Sequence, residues 1–347
     1  MSSINDFDIE TLLDAEPMDS GTSLESESGG TEISSQDSWR EEGYSGSIDY
    51  RLRQLSYSSV LLLHECPRKF QLNKCRVQRT AESLDTGITF SFGHVIGQAI
   101  QDIFIGLPKN QIYIRAIQKW NVDFYAVDEK RHKSFWLALY AIEKFIELRK
   151  NGFLAEYEIV YFNGRPAAEL GFCINLQEGF RYRGFADLIL QHVESKKVIV
   201  LEGKTFGADI FNPAIYKNSS QALGYSIILD HIFPDLSSYE VLYLIYESKN
   251  KEFTPIVMPK TYSQRARWIR EIVLNQQTVE IYANNELFPM HGESCISRFG
   301  RECEYFGVCH LDDDFLIKKC TKEAEDKNDY DVTIELSDLI ETQLKKV

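Results

Sequence analysis

Two neighbouring apolar segments of the sequence carry side chains that can bind a metal ion. Asp187 lies within the segment 183–190, and Glu202 and Lys204 directly follow the apolar run 198–201. Side chains two residues apart on a strand share one face of a sheet, so Glu202 and Lys204 should project together. If Asp187 reaches the same place from the adjacent strand, the two carboxylates can hold Mg2+ or Mn2+, which prefer oxygen ligands. Such a metal activates water toward a phosphodiester, with Lys204 orienting the water or offsetting negative charge.

The Glu-x-Lys spacing by itself is weak evidence, because it occurs four times in this chain. The other three pairs lie in polar turns or near the C-terminus. Glu202 and Lys204 alone follow a strand that is apolar enough to be buried, where charges seldom serve solubility. A solvated strand end is the alternative interpretation of this pair.

Asp187, Glu202 and Lys204 belong to a longer series of short motifs that spans roughly residues 55–309, most of the chain expected to be ordered. The series comprises Ser-x-Ser, Cys-Pro-x-x-Phe, Gly-x-x-Asp, Glu-x-Lys and Gln-x-x-x-Tyr motifs, formed by Ser56, Ser58, Cys66, Pro67, Phe70, Gly184, Asp187, Glu202, Lys204, Gln221 and Tyr225. Together these motifs resemble the RecB-like branch of the PD-(D/E)XK nucleases. The order and spacing of several motifs carry more weight than any one of them.

This resemblance implies a metal-dependent DNA nuclease, and we expect an exonuclease acting in recombination, repair or replication. In the family the Asp and Glu ligate the metal, here Asp187 and Glu202, and the Lys, here Lys204, is catalytic. The resemblance further implies that Gln221 and Tyr225, on the next helix, help to set the site and to contact DNA. DNA is therefore the expected partner, and Mg2+ or Mn2+ the expected cofactor. A catalytically inactive DNA-binding or scaffold protein with the nuclease fold is the alternative.

One position departs from the family pattern. A Gly-x-x-x-His motif on the first helix of these nucleases carries a metal-ligating His, but Gly97 occupies that position here. His94, three residues earlier, is the candidate replacement, with a helix cap or surface group as its alternative. Glu169, which opens the strand before that of Asp187, is a further candidate, and an ordinary surface charge is its alternative.

The seven cysteines argue against a disulfide framework, because their number is odd and the N-terminus has no basic secretory segment. Cys295, Cys303 and Cys309 form a compact triplet after the last long predicted helix. Together with Cys66 they resemble the ligands of the 4Fe-4S cluster in iron-sulfur CRISPR-associated and AddB-type exonucleases of the same family. That resemblance implies a structural cluster joining the two ends of the nuclease domain. Structural Zn2+ and free buried thiols are the alternatives.

The net charge of -14 is unevenly distributed along the chain. Residues 1–50 carry 13 acids and one base, and residues 312–347 carry 11 acids and six lysines. We therefore predict disordered acidic tails over 1–50 and 312–347, which could dock onto a recombination or replication protein. Residues 51–311, the predicted nuclease domain, hold 28 acids and 31 bases, so this part of the chain can approach a polyanion.

The pattern of apolar residues between the tails predicts an α/β fold. Helical spacing at 95–105 and 134–149 precedes a cluster of β-rich segments, then a helix at 219–232, two strands, and a long helix from 263 to about 284. With the resemblance, this order implies a restriction-endonuclease-like core, a mixed central sheet flanked by helices. No apolar run approaches the roughly 20 residues of a membrane span. A cytoplasmic protein is expected, in the host cytoplasm if the chain is phage-encoded, as its size and resemblance suggest.

Overall fold

The computed structural model describes residues 48–79, 84–120, 133–207, 212–234, 239–296, 302–319 and 330–343. The predicted N-terminal tail, residues 1–50, lies outside the described residues except for its last three. All described residues belong to one unit of the chain, Gly46–Val347. Among them, no helix is long and apolar enough to cross a membrane.

Several helices begin at residues that satisfy their free backbone NH groups. Ser56 and Ser59 form a reciprocal cap on the first described helix, and Thr261 and Gln264 form another on the longest one. Ser134 caps a third helix by accepting a hydrogen bond from the Leu137 backbone. The helices are α1 (Tyr57–Glu65), α2 (Pro67–Lys74), α3 (Leu84–Ile105), α4 (Lys109–Lys119), α5 (Phe135–Lys150), α6 (Ser220–Ile232), α7 (Tyr262–Asn284), α8 (Asp313–Lys319) and α9 (Leu336–Gln343).

The strands form a mixed central sheet, which confirms the α/β core of the predicted fold class. Its main path runs β10-β5-β6-β7-β8-β9, with β1 and β2 also paired to β6, while β3 and β4 form a separate hairpin. The β7–β8 and β10–β5 pairs are parallel, and the other pairs on the main path are antiparallel. The strands are β1 (Gln54–Leu55), β2 (Tyr157–Ile159), β3 (Tyr161–Phe162), β4 (Arg165–Pro166), β5 (Ala168–Asn175), β6 (Arg181–His192), β7 (Val198–Phe206), β8 (Tyr239–Glu247), β9 (Glu252–Lys260) and β10 (Val332–Glu335).

The sheet separates two apolar cores. The first core contains residues of α1, α2, α6, α7 and α9, and the second contains residues of α3, α4 and α5. Val198 and Val200 of β7 face the first core, whereas Ile199 and Leu201 face the second. A strand covered on both faces must be apolar throughout, which explains the unbroken apolar run before Glu202.

The segment after residue 311 corrects the predicted disordered tail over 312–347. Its described part contains α8, and residues 332–335 pair in parallel with residues 172–175 of β5. Val332 and Ile334 alternate inward and are buried, as is Leu339 of α9. In and beside its described strand and helix, Asp331, Glu335 and Asp338 are exposed. The high charge of the segment therefore conceals a two-residue apolar alternation typical of a strand.

Candidate active site

The strands β6 and β7 separate at the two predicted carboxylates. Leu188 and Leu201 are the last residues of these strands to pair with each other. Beyond them β6 continues along β5, and β7 continues along β8. Asp187 and Glu202 therefore lie at an opening in the sheet, which we call the fork.

Glu202 is buried at the fork with half of its carboxylate unsatisfied. Its side chain is only 2% exposed, and its Oε1 atom accepts a hydrogen bond from Lys204 Nζ at 2.5 Å. The buried Oε2 atom has no hydrogen bond of good geometry to a described residue, and a weaker hydrogen bond from the Tyr225 hydroxyl to the Glu202 carboxylate contributes to the raised pKa of that phenol. Leaving a buried carboxylate oxygen unpaired is costly, and a bound cation would satisfy it.

Asp187 and Glu202 form a pair of carboxylates whose negative charge the neighbouring groups do not fully neutralise. Its Oδ2 atom accepts a hydrogen bond from the Gly203 backbone at 3.0 Å. Burial raises the pKa of Asp187 well above its usual range, and the charge of Glu202 raises it further. Lys204 and the Gly203 hydrogen bond act in the opposite direction but do not compensate. Two carboxylates in this environment form a donor set that suits a hard divalent cation.

Lys204 connects the carboxylates to the following helix. Its Nζ atom donates to Gln221 Oε1 at 3.1 Å, and Gln221 Nε2 donates to the Tyr225 hydroxyl at 2.6 Å. Burial acts to lower the pKa of Lys204, but the charge and hydrogen bond of Glu202, together with the charge of Asp187, raise it overall. Lys204 is therefore held as a cation. Burial and the same two carboxylates raise the pKa of Tyr225 well above its ordinary value, so this phenol stays protonated.

The structure thus brings together all five residues predicted for the catalytic site: Asp187, Glu202, Lys204, Gln221 and Tyr225. Their individual roles remain predictions. His94, the predicted replacement ligand, lies on α3 and lines the adjoining cavity. Among the described residues it makes no hydrogen bond or ion pair with Asp187 or Glu202, and its ring lies 6.3 Å from that of Phe90.

A cavity of about 720 Å³ opens beside Gln221 and Tyr225. Its lining includes Arg183 and the ring of Phe185, which is 44% exposed. Tyr330, from the C-terminal segment, also lines the cavity, and its hydroxyl accepts a hydrogen bond from Arg183 at 3.2 Å. Sequence reasoning missed these three residues. The two-residue alternation that leads to Asp187 could have indicated Arg183 and Phe185, but no local signal points to Tyr330.

The four predicted cysteine ligands lie on segments that the fold brings together. The Cys303 backbone donates to the Cys295 carbonyl at 2.8 Å, and the Arg68 side chain donates to the Cys309 carbonyl at 3.0 Å. Burial raises the pKa of the Cys309 thiol, and the nearby thiols of Cys295 and Cys66 raise it further. All four are free cysteines of intermediate exposure.

The proximity of these cysteines does not by itself show that their thiols are arranged to bind a metal ion. Within the described ranges, no three or more His, Cys, Asp or Glu side chains are arranged to hold a metal ion. The 4Fe-4S cluster and its Zn2+ alternative on Cys66, Cys295, Cys303 and Cys309 therefore remain proposals. Cys75, which is not among the four proposed ligands, is a buried free cysteine, and burial raises the pKa of its thiol to about 12.

Comparisons with solved structures found distant likenesses. A protein from Eubacterium rectale named "Putative exonuclease" aligns over 86% of this chain and 97% of its own, with 11% identity and a TM-score of 0.45. The protein SSO0001 aligns over 62% of this chain and 84% of its own, with 15% identity and a TM-score of 0.29. At these TM-scores neither likeness carries an argument about function. A search of curated proteins found no match.

A family comparison gives a firmer result. The model described as the PD-(D/E)XK nuclease superfamily matches residues 54–310, which is about three quarters of the chain. The matched range includes the fork, the helix α6 beside it and all four cysteines of the proposed cluster. The chain belongs to the PD-(D/E)XK nuclease superfamily.

Proposed function

We propose that this protein is a divalent-metal-dependent deoxyribonuclease, and that it acts as an exonuclease. The observation that carries this proposal is the fork, where Asp187 and the unsatisfied oxygen of Glu202 lie beside a cationic Lys204. Family membership makes phosphodiester hydrolysis the reaction that this arrangement would serve.

Asp187 and Glu202 would hold Mg2+ or Mn2+, since their donor set and net negative charge fit such an ion. When bound, the ion would lower the pKa of a water molecule and polarise the phosphate. Lys204 is held between Glu202 and Gln221, where its positive charge would offset the negative charge that develops on a bound phosphate. Tyr225, as a protonated phenol, accepts a hydrogen bond from Gln221 and keeps that amide oriented toward Lys204.

The cavity beside the fork supports one strand of DNA as the substrate. Arg183 can contact a phosphate, and the exposed ring of Phe185 can stack on a base. A volume of about 720 Å³ lies in the range of pockets for small ligands, so it suits a few nucleotides of a strand end. A duplex would have to open before entering, which favours attack from an end.

A 4Fe-4S cluster on Cys66, Cys295, Cys303 and Cys309 would join the two ends of the nuclease domain. The proximity of the Cys66, Cys295 and Cys309 thiols supports this proposal, as does the resemblance to the iron-sulfur branch of RecB-like nucleases. Zinc on the same thiolates is the alternative. The recombination, repair or replication role and a phage origin belong to the same resemblance, and with the expected cytoplasmic location they remain predictions.

One observation favours a second candidate function. Gly97 supplies no side chain where the family has a metal ligand, so the chain could bind DNA or serve as a scaffold without turnover. The two candidates differ in whether Lys204 matters for cleavage.

The test is degradation of end-labelled single- and double-stranded DNA by anaerobically purified protein, with Mg2+ or Mn2+ and then with chelator. Wild type is compared with Lys204→Met and with a matched control, Lys196→Met, from the Glu194-x-Lys196 turn. We expect metal-dependent cleavage by wild type and the control, and none by Lys204→Met. If a folded, metal-loaded wild type cleaves no substrate, the enzyme proposal fails and the scaffold alternative takes its place.

A further inference from the structure

The fork has fewer ligands than a hard divalent cation uses. Mg2+ and related ions take about six oxygen ligands, and Asp187 and Glu202 supply only part of that number. Gly97 passes close to the site, since a Cβ built on Gly203 would lie 4.0 Å from the Gly97 Cα and 3.9 Å from Asp187 Oδ2. The helix α3 therefore reaches the fork without contributing a ligand at this position.

Glu169 occupies the place opposite Asp187 on the neighbouring strand. Leu170 pairs with Ala186 and Ala168 pairs with Leu188, so Glu169 and Asp187 lie between these pairs. Glu169 has a φ of +50°, which is the left-handed region that residues other than Gly rarely adopt. Such strain tends to occur at functional sites.

The left-handed Glu169 also changes which way the strand faces. Leu170 packs in the first core and Ala168 against the second, although side chains two residues apart on a regular strand share a face. The same reversal occurs on β6, where Ala186 faces the first core and Leu188 the second. Both strands therefore reverse at Glu169 and Asp187, which frees these two carboxylates from the regular faces of the sheet.

A buried residue of α3 holds the Glu169 side chain. Gln101 is 3% exposed, and its Nε2 atom donates to Glu169 Oε1 at 2.9 Å. Gln101 follows Gly97 by four residues, so the two lie on the same side of the helix. The surface of α3 that offers no ligand at Gly97 instead offers a hydrogen-bond donor to a carboxylate one turn further on.

Two further observations place Glu169 within reach of the cation site. The residues on either side of Glu169 and Asp187 pair directly across the antiparallel strands, so these two side chains start from neighbouring positions. The buried Oε2 of Glu202, which has no hydrogen bond of good geometry at 2% exposure, independently indicates that a cation belongs at the fork. Glu169 is itself exposed, as expected of a ligand on the side of the site that substrate approaches.

We propose that Glu169 serves as the third carboxylate ligand once a metal ion binds, in place of the helix ligand that Gly97 cannot supply, and that Gln101 is its positioning residue. Among the described residues no three such side chains are already arranged to hold a metal ion, so ligation requires the exposed Glu169 side chain to turn toward Asp187. The proposal rests on the metal-dependent function proposed above. Under this proposal α3 does not carry the metal ligand that the family pattern places on this helix. Its Gln101 instead orients a ligand carried by β5.

The test measures Mn2+ affinity of the full-length protein by calorimetry, independently of cleavage. The variants are Glu169→Gln, which removes the charge, Glu169→Asp, which keeps the charge but shortens the side chain, and Gln101→Ala. Glu158→Gln is the matched control, because Glu158 is an exposed acid of β2 paired with Gln191, four residues beyond Asp187 along β6. Thermal unfolding of each metal-free variant checks that the fold is retained.

We expect Mn2+ affinity to fall about 100-fold in Glu169→Gln and about tenfold in Gln101→Ala, as for ligands and their hydrogen-bond partners. Glu169→Asp should also lose affinity, and Glu158→Gln should match wild type. If wild type binds Mn2+ and cleaves DNA while Glu169→Gln binds equally well, Glu169 is not a ligand although the nuclease proposal stands. Wild-type affinity in Glu169→Asp would reduce Glu169 to a distant charge and overturn ligation. If wild type neither binds Mn2+ nor cleaves DNA, the nuclease proposal and this inference fail together.

Discussion

The fork differs from the junction, which is the region where α2, with Arg68, meets the loop that carries Cys295, Cys303 and Cys309. The two regions differ in how completely the protein satisfies its own buried polar groups. At the fork, Glu202 Oε2 has no hydrogen bond of good geometry to a described residue, and Asp187 lies near a second carboxylate. At the junction, the buried Arg68 side chain donates to the carbonyls of Cys309 at 3.0 Å and Leu311 at 3.1 Å, and it pairs with Asp313. The fork therefore needs an added cation, whereas the junction is held together by the chain itself.

This difference predicts different roles for a metal ion in the two regions. A cation at the fork would neutralise repulsion that the fold maintains, so the site is built for function at a cost in stability. A cluster at the junction would add to contacts that already join α2 to the C-terminal loop, including the bond from the Arg68 backbone to the Pro289 carbonyl at 3.0 Å. Loss of the metal should accordingly abolish activity in the first case and leave the ends joined in the second.

The largest effect is expected from Asp187→Asn, which should change activity and stability in opposite directions. Cleavage should fall by about 100-fold or more because a metal ligand is lost, while the metal-free protein should unfold at a higher temperature because repulsion with Glu202 is relieved. The pKa of Asp187 is raised in the folded state, so its contribution to stability is present at acidic pH and is lost as the pH rises through that value. Thermal melts of the metal-free protein from pH 4 to 8 should show this loss in wild type and not in the variant. A variant that is less stable than wild type at pH 8 would show that the fork is not strained by charge.

The junction is tested by Arg68→Met. The substitution leaves the carbonyls of Cys309 and Leu311 without their donor and Asp313 without its cation, so we expect a loss of about 3 kcal/mol in the free energy of unfolding. Lys144→Met is the control, because Lys144 pairs with Glu147 at 3.3 Å on the exposed face of α5, where an ion pair contributes little to stability. Urea denaturation measures both. Equal losses in the two variants would remove the distinction between the junction and an ordinary surface contact.

The two regions also differed in how well the sequence predicted them. Glu202 and Lys204 could be recognised because the apolar run before them is a local signal, and the order of motifs then indicated Asp187, Gln221 and Tyr225. Gly184 belongs to the same motif, and the structure explains its small size: a Cβ there would lie 2.7 Å from the Phe172 ring across the strand pair.

What the sequence could not predict depends on long-range pairing. The fork arises because β6 and β7 stop pairing after Leu188 and Leu201, which no single segment encodes. The C-terminal strand was missed for a similar reason, since its partner lies far away in sequence: Asp331 accepts a hydrogen bond from the Gly171 backbone, 160 residues earlier. The left-handed backbone of Glu169 has no sequence signal either, because Gly or Asn would be expected at such a position.

A smaller effect is expected when the junction loses a proposed metal ligand. Cys66→Ser should abolish any visible iron-sulfur absorption and lower the iron content, yet it should cost less stability than Arg68→Met, because the hydrogen bonds of Arg68 remain. Cys75→Ser serves as a control for loss of a thiol outside the proposed ligand set. Metal analysis, absorption spectra and urea denaturation on the same preparations give the comparison. A Cys66→Ser protein less stable than Arg68→Met would show that the metal, and not the arginine, joins the two ends.

The smallest expected effect concerns Lys260, a buried lysine at the end of β9. Lys260 is 4% exposed, and its Nζ atom donates to the carbonyls of Tyr216 at 3.2 Å and Lys217 at 2.7 Å. Burial lowers its pKa from 10.5 to about 8. Between these two values the unfolded chain binds more protons than the folded one, so stability should rise with pH in this window, the opposite of the trend set by Asp187. Because the two carbonyl hydrogen bonds favour the charged form, we expect a gain on the order of 1 kcal/mol between pH 8 and 10.5 relative to Lys260→Met. Parallel pH profiles for the two proteins in urea denaturation would show that Lys260 keeps its charge throughout this window.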